Sequence, residues 1–67
     1  MEGYYVEFEG VQLQMWMIAS GLKRVMQDTP DSKYRSEVRA KSPGPFTVVG
    51  EFDDLVSAQI AAEETAP

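Results

Sequence analysis

A chain of 67 residues with no cysteine and no histidine must hold its fold together by packing and hydrogen bonding alone. Disulfides and zinc are the usual staples of domains this small, and neither can form here. A chain of this length buries only about 60% of the surface it exposes when unfolded, so the core is thin. The support that remains is association, either with another copy or with a different molecule. The length admits one domain, and residues 1–67 are read as one compact unit whose last residues, 65–67, fray.

Disorder is a poor explanation for a chain that is 43% hydrophobic and carries Trp16, three Tyr and three Phe. The absence of cysteine fits a reducing compartment. Met1-Glu2-Gly3-Tyr4 is acidic, without the basic and apolar regions of a signal peptide, so a cytoplasmic location is expected. The longest apolar stretch, Met15 to Ala19, is far short of the roughly 20 residues that cross a bilayer, and no membrane contact is expected.

The net charge of −5 is unevenly spread. Residues 1–22 carry Glu2, Glu7 and Glu9 and no base. Residues 23–41 hold all six bases against Asp28, Asp31 and Glu37, and the final third carries five acids. Such blocks either neutralise one another in the fold or form charged surfaces.

Tyr4, Val6 and Phe8 alternate with Tyr5, Glu7 and Glu9, the pattern of a half-buried strand. Gly10 interrupts, and Val11-Gln12-Leu13-Gln14-Met15 alternates again, which predicts a tight hairpin turning at Glu9-Gly10. Over residues 11–27 a second pattern competes. Val11, Met15, Ile18, Leu22, Val25 and Met26 recur at helical spacing, marred only by Gly21. The reading adopted is a strand to about Met17, then a short helix from Ser20 as N-cap to about Asp28. Pro30 with its Asp and Ser neighbours predicts a loop. Tyr34, Ser36, Val38 and Ala40 alternate with Arg35, Glu37, Arg39 and Lys41, which reads as a strand with a charged face suited to a sheet edge. Ser42-Pro43-Gly44-Pro45 predicts a turn, and 46–52 a strand completing a second hairpin. Asp53 or Asp54 then caps a helix from Leu55 to about Glu64, with Leu55, Ala58 and Ala62 on its inner stripe and Val56 and Ile60 flanking it. The expected class is α+β: a small antiparallel sheet of three or four strands with one or two helices packed on one face.

Without imidazole or thiol most hydrolytic and redox mechanisms are removed, and no glycine-rich phosphate loop is present. No enzymatic activity and no cofactor are expected. Glu51, Asp53 and Asp54 form the one dense carboxylate cluster, but their spacing matches no calcium loop and suits a helix cap, so no metal is expected. Lys33, Arg35, Arg39 and Lys41 with Tyr34 resemble in miniature a surface for single-stranded nucleic acid, yet the chain as a whole is acidic, and direct nucleic-acid binding is not expected. Trp16 between Met15 and Met17 is the best apolar candidate for a partner contact, with core packing as its alternative.

By size and charge alone the chain resembles the small acidic proteins of phages and mobile elements that bind and block a host factor, anti-CRISPR proteins among them. No motif carries that likeness and no residue is transferred from it. The expected function is a non-catalytic protein that binds a protein partner as an inhibitor or modulator. A nucleic-acid enzyme is the partner suggested by carboxylates spaced like phosphates: Glu7, Glu9, Glu51, Asp53 and Asp54, brought together if the first strand lies beside the strand ending at Phe52. The alternative is a homodimeric structural or accessory module using Met15-Trp16-Met17 as its subunit contact. Carboxylates gathered on one exposed face favour the first reading, and their dispersal among Lys and Arg favours the second.

Overall fold

In the structure, a computed structural model, residues 3–67 are described, the Ala19 side chain excepted; the acidic Met1-Glu2 start lies outside them. Five strands follow in chain order: β1 (Gly3–Phe8), β2 (Val11–Ile18), β3 (Lys23–Gln27), β4 (Tyr34–Val38) and β5 (Thr47–Phe52). A single α-helix, α1 (Leu55–Glu64), completes the chain. The strands form one antiparallel sheet in the order β1-β2-β3-β4-β5, each beside its sequence neighbour. The class is α+β as expected, but with five strands rather than three or four, and one α-helix.

The additional strand, β3, occupies the segment read from sequence as a short helix. Ser20 and Gly21 have φ of 58° and 85°, left-handed values that cannot open a right-handed helix, and they turn the chain through one 3₁₀ turn at Ala19–Gly21. Lys23–Gln27 then runs back along β2 and accepts β4 on its other side, so two ladders of hydrogen bonds override the local preference for helix. Residues 11–27 are therefore neither one helix nor strand plus helix, but two strands. The first hairpin is as read: Glu9 and Gly10, with φ of 51° and 78°, make the mirror-image turn that suits the right-handed twist of the strands. The expectation that β4 lies at an edge is also overturned, because β5 covers its outer side.

The helix sits on the face that carries Trp16 and Ile18 of β2, Val25 of β3, Tyr34 of β4 and Phe52 of β5. Val25, Ala58 and Ala62 are fully buried at the centre of this contact. The two alanines let the helix approach closely enough for the buried Ser36 hydroxyl to donate to the Ala58 carbonyl oxygen at 2.6 Å. Leu55 joins the inner stripe, whereas Val56 and Ile60 face solvent. Asp54 is the N-cap: its carboxylate accepts from the Ser57 N–H and the Ser57 hydroxyl, both at 2.9 Å, and these bonds hold its pKa below the ordinary 3.8. At the other end Lys23 donates to the Glu63 carbonyl at 2.6 Å and Thr65 to the Ala61 carbonyl at 2.7 Å, satisfying acceptors that the helix leaves open. No helix among the described residues is long and apolar enough to cross a membrane.

Candidate functional site

Successive side chains of a strand point to opposite faces, so the helix on the Trp16 face leaves the other face without a covering layer. That open face presents Tyr4, Val6 and Phe8 from β1, and Leu13, Met15 and Met17 from β2. Arg24 and Met26 of β3 continue it, followed by Arg35 and Glu37 of β4. Met15 and Met26 lie opposite one another in register and are only 7% and 2% exposed. Side chains of the same sheet enclose them, and the Tyr4 hydroxyl donates to the Met15 sulfur at 3.1 Å. The result is a concavity of about 450 Å³ lined by Val6, Phe8, Leu13, Met15 and Met26, with Arg24, Arg35 and Glu37 at its polar side. Phe8, Val11 and Val48 remain exposed on or beside this face.

An ion bridge crosses β3 and β4 at the polar side. Glu37 is 5% exposed; one carboxylate oxygen accepts from Arg24 at 2.6 Å and the other from Arg35 at 2.7 Å. Arg35 reaches on to both oxygens of Asp28 at 3.1 Å. Burial pulls the Arg35 pKa down, but the hydrogen bonds to Glu37 and then Asp28 outweigh it, so the net shift is upward and the group is more firmly charged. Phe46 stacks under this cluster, with the Arg24 guanidinium carbon 3.6 Å and that of Arg39 4.7 Å from its ring centre. Arg39 also donates to the Ser42 hydroxyl at 3.0 Å.

This arrangement accounts for much of the basic middle third. Arg35 and Arg24 are engaged by Glu37, Arg39 is stacked, and exposed Lys33 stands 3.8 Å from exposed Asp53. The row Lys33, Arg35, Arg39 and Lys41 is thus broken up, mostly by acids of the same block, Glu37 and Asp28, with Lys33–Asp53 as the ion pair that reaches the acidic final third.

The residues singled out in the sequence do not meet in one place. Trp16 is half-buried on the helix side with its ring centre 5.7 Å from that of Tyr34, whereas Met15 and Met17 point to the open face. Glu7 and Glu9 belong to the β1 edge, and Glu51, Asp53 and Asp54 to the β5 edge or just beyond it. The expectation that β1 lies beside β5 is overturned: the two are the opposite edges of the sheet, four strand spacings or roughly 19 Å apart. No group of three potential metal-ligating side chains converges among the described residues.

Tyr4, Phe8, Leu13 and Val48 were passed over as contact residues, and so was the bridging Glu37. The alternation of Tyr4, Val6 and Phe8 was legible. Which face the helix would cover was not, because both faces of β2 carry large apolar side chains. Comparison with protein families, with curated proteins and with solved structures finds no match to this chain.

Proposed function

We propose that the protein is a non-catalytic binding module that receives an apolar segment of a protein partner on the open face of its sheet. The observation that carries this reading is the concave apolar face itself, with Phe8 63% exposed at its rim while buried Met15 and Met26 form its floor. A concave apolar face of this kind is a feature of contact sites, and methionines adapt to the shape of what they contact. Binding is favoured over catalysis because the charged groups at the concavity are locked onto one another, and an arginine does not exchange protons near neutral pH. The separation of the carboxylates argues against phosphate mimicry as the mode of binding, whereas a net charge of −5 favours a partner with basic residues around its apolar segment.

The test compares two pairs of exposed substitutions, Phe8→Ser with Val48→Ser on the sheet and Val56→Ser with Ile60→Ser on the helix. Immobilised on beads and exposed to lysate of the source cells, the natural chain and the helix pair should retain the same protein, and the sheet pair should lose it. Retention by the sheet pair, or loss confined to the helix pair, refutes the assignment of the surface.

A further inference from the structure

Strand β1 is the least supported element of the fold. Its one substantial set of contacts is with β2, and α1 packs chiefly on β3, β4 and β5. No residue in it is buried. Only Val6 is half-covered, and Tyr4, Tyr5 and Phe8 are 46%, 61% and 63% exposed. An edge strand with three exposed aromatics, no proline and no lysine lacks most of the features that keep sheet edges from pairing. The other edge is better protected, since β5 carries a bulge opposite Ser36 and Glu37 and has α1 packed on it.

Which backbone groups face the free edge follows from the ladder. The Arg39 N–H donates to the Leu22 carbonyl, which fixes Arg24 with Glu37 and Met26 with Arg35 as the directly bonded pairs of β3 and β4. Alternation carried through β2 then turns the N–H and C=O of Tyr4, Val6 and Phe8 toward β2. The same groups of Tyr5 and Glu7 point outward.

We propose that these outward groups pair with the same strand of a second copy, antiparallel and centred on Val6, so that two sheets join into one of ten strands. In this register Tyr5 of each copy exchanges backbone hydrogen bonds with Glu7 of the other, giving four bonds. On the open face Val6 meets Val6 of the second copy, and each Tyr4 meets a Phe8, a favourable aromatic pair across strands. No carboxylate stands directly opposite another, because Glu7 faces Tyr5 and Glu9 faces Gly3. Centring the pairing on Glu7 instead sets like charges face to face, which is unfavourable.

The magnitude fits a reversible dimer. Three aromatic side chains of roughly 200 Å² each, exposed to the extent given, offer on the order of 340 Å² per copy. With the strand backbone added, the total stays below the roughly 1,200 Å² of a stable interface, so the association is weak and concentration-dependent. The two Glu7 side chains become diagonal neighbours about 7–8 Å apart, so their repulsion also limits the affinity.

This inference stands apart from the proposed function, since a partner seated on the open face needs no dimer. Sedimentation of the natural chain from about 5 μM to about 1 mM should show a shift from monomer to dimer. Glu7→Pro removes one outward N–H per copy and none of the bonds to β2, so it should weaken the dimer at least tenfold, while Glu7→Gln, which keeps the N–H, should retain it. Amide hydrogen exchange on the natural chain covers the case of a proline variant that fails to fold. Tyr5 and Glu7 should become protected as concentration rises, with Val6 protected throughout. A monomer over the whole range, dimerisation of folded Glu7→Pro equal to that of the natural chain, or Tyr5 and Glu7 exchange that ignores concentration overturns the proposal. A different protein found paired with β1 in place of the second copy also overturns it.

Discussion

Glu37→Gln is the sharpest probe of how this small chain holds its open face. The substitution conserves volume but removes the one negative charge between Arg24 and Arg35, each of which approaches it within 2.7 Å. Taking away one partner of a buried ion pair typically costs about 3–5 kcal/mol, because the remaining charge is left buried and uncompensated. Here Arg24 and Arg35 are each 23% exposed and Arg35 keeps Asp28, so water and the second carboxylate absorb part of the loss and the expected cost is about 3 kcal/mol. A domain of this size has a total stability of roughly 3–10 kcal/mol, so the loss is a large fraction of what exists. Urea unfolding at pH 7 should show it directly, with a melting temperature lower by about 12–24 °C. Replacing all three charges together, as Arg24→Met, Arg35→Leu and Glu37→Met, should cost far less than Glu37→Gln alone, because the one charge that loses its partner, Asp28, is half exposed and solvated by water. A cost below about 1 kcal/mol for Glu37→Gln refutes the reasoning and reduces the bridge to a solvent-screened surface pair.

Asp54→Ala should destabilise the protein at neutral pH by leaving the first turn of α1 uncapped. The folded pKa of Asp54 is depressed by the Ser57 N–H and hydroxyl, so its contribution is present above the ordinary value of 3.8 and is lost as pH falls through the depressed value. Melting curves of Asp54→Ala and the natural chain should therefore converge in acid, and a difference that persists unchanged there contradicts the cap. Ala58→Leu should cost about 1–3 kcal/mol by overpacking the fully buried contact with Val25. It should also lift the helix from Trp16, moving the tryptophan emission to the red; an unmoved spectrum shows that the helix does not depend on this contact.

The legible parts of the fold were those in which one periodicity stood alone. Tyr4–Glu9 and Tyr34–Lys41 alternate and Phe46–Phe52 is rich in strand-forming residues, all without a helical rival, and each contains a strand. Asp53 or Asp54 followed by an apolar stripe at helical spacing predicts the helix, and of the two Asp54 is the cap. Residues 11–27 satisfied both periods, and only the Ser20-Gly21 step distinguished them. Taken as an N-cap, Ser20 predicts a short helix over 20–28; its φ of 58° and the 85° of Gly21 make the pair the turn between two strands. That misreading removed one strand from the count. It also moved the candidate site, since the concavity needs Arg24 and Met26 on a strand beside β2, where Met26 can meet Met15 and Arg24 can meet Glu37. Arg35 and Glu37, two apart on one strand, share a face already in the sequence, but the Arg24 half of the bridge depends on strand register rather than on spacing along the chain.

The shortage of covering material explains why a contact surface falls where it does. Five strands at about 4.8 Å make a sheet roughly 19 Å across, whereas one α-helix is about 10–12 Å wide and covers two or three strands on one side only. The helix settles over β3, β4 and β5, where Val25, Ser36 and the two buried alanines allow close approach. Every other apolar side chain must be enclosed by the sheet itself or left in water. Neighbouring side chains of the sheet, Tyr4 among them, enclose Met15 and Met26, and the ion bridge lets β3 and β4 carry charge on the open face without repulsion. Tyr4, Tyr5 and Phe8, farthest from the helix on β1, are beyond either remedy. The same geometry therefore produces a concave apolar face and an unpaired aromatic edge side by side, and in a ten-stranded dimer the two open faces would run together across Tyr4 and Phe8 as one surface.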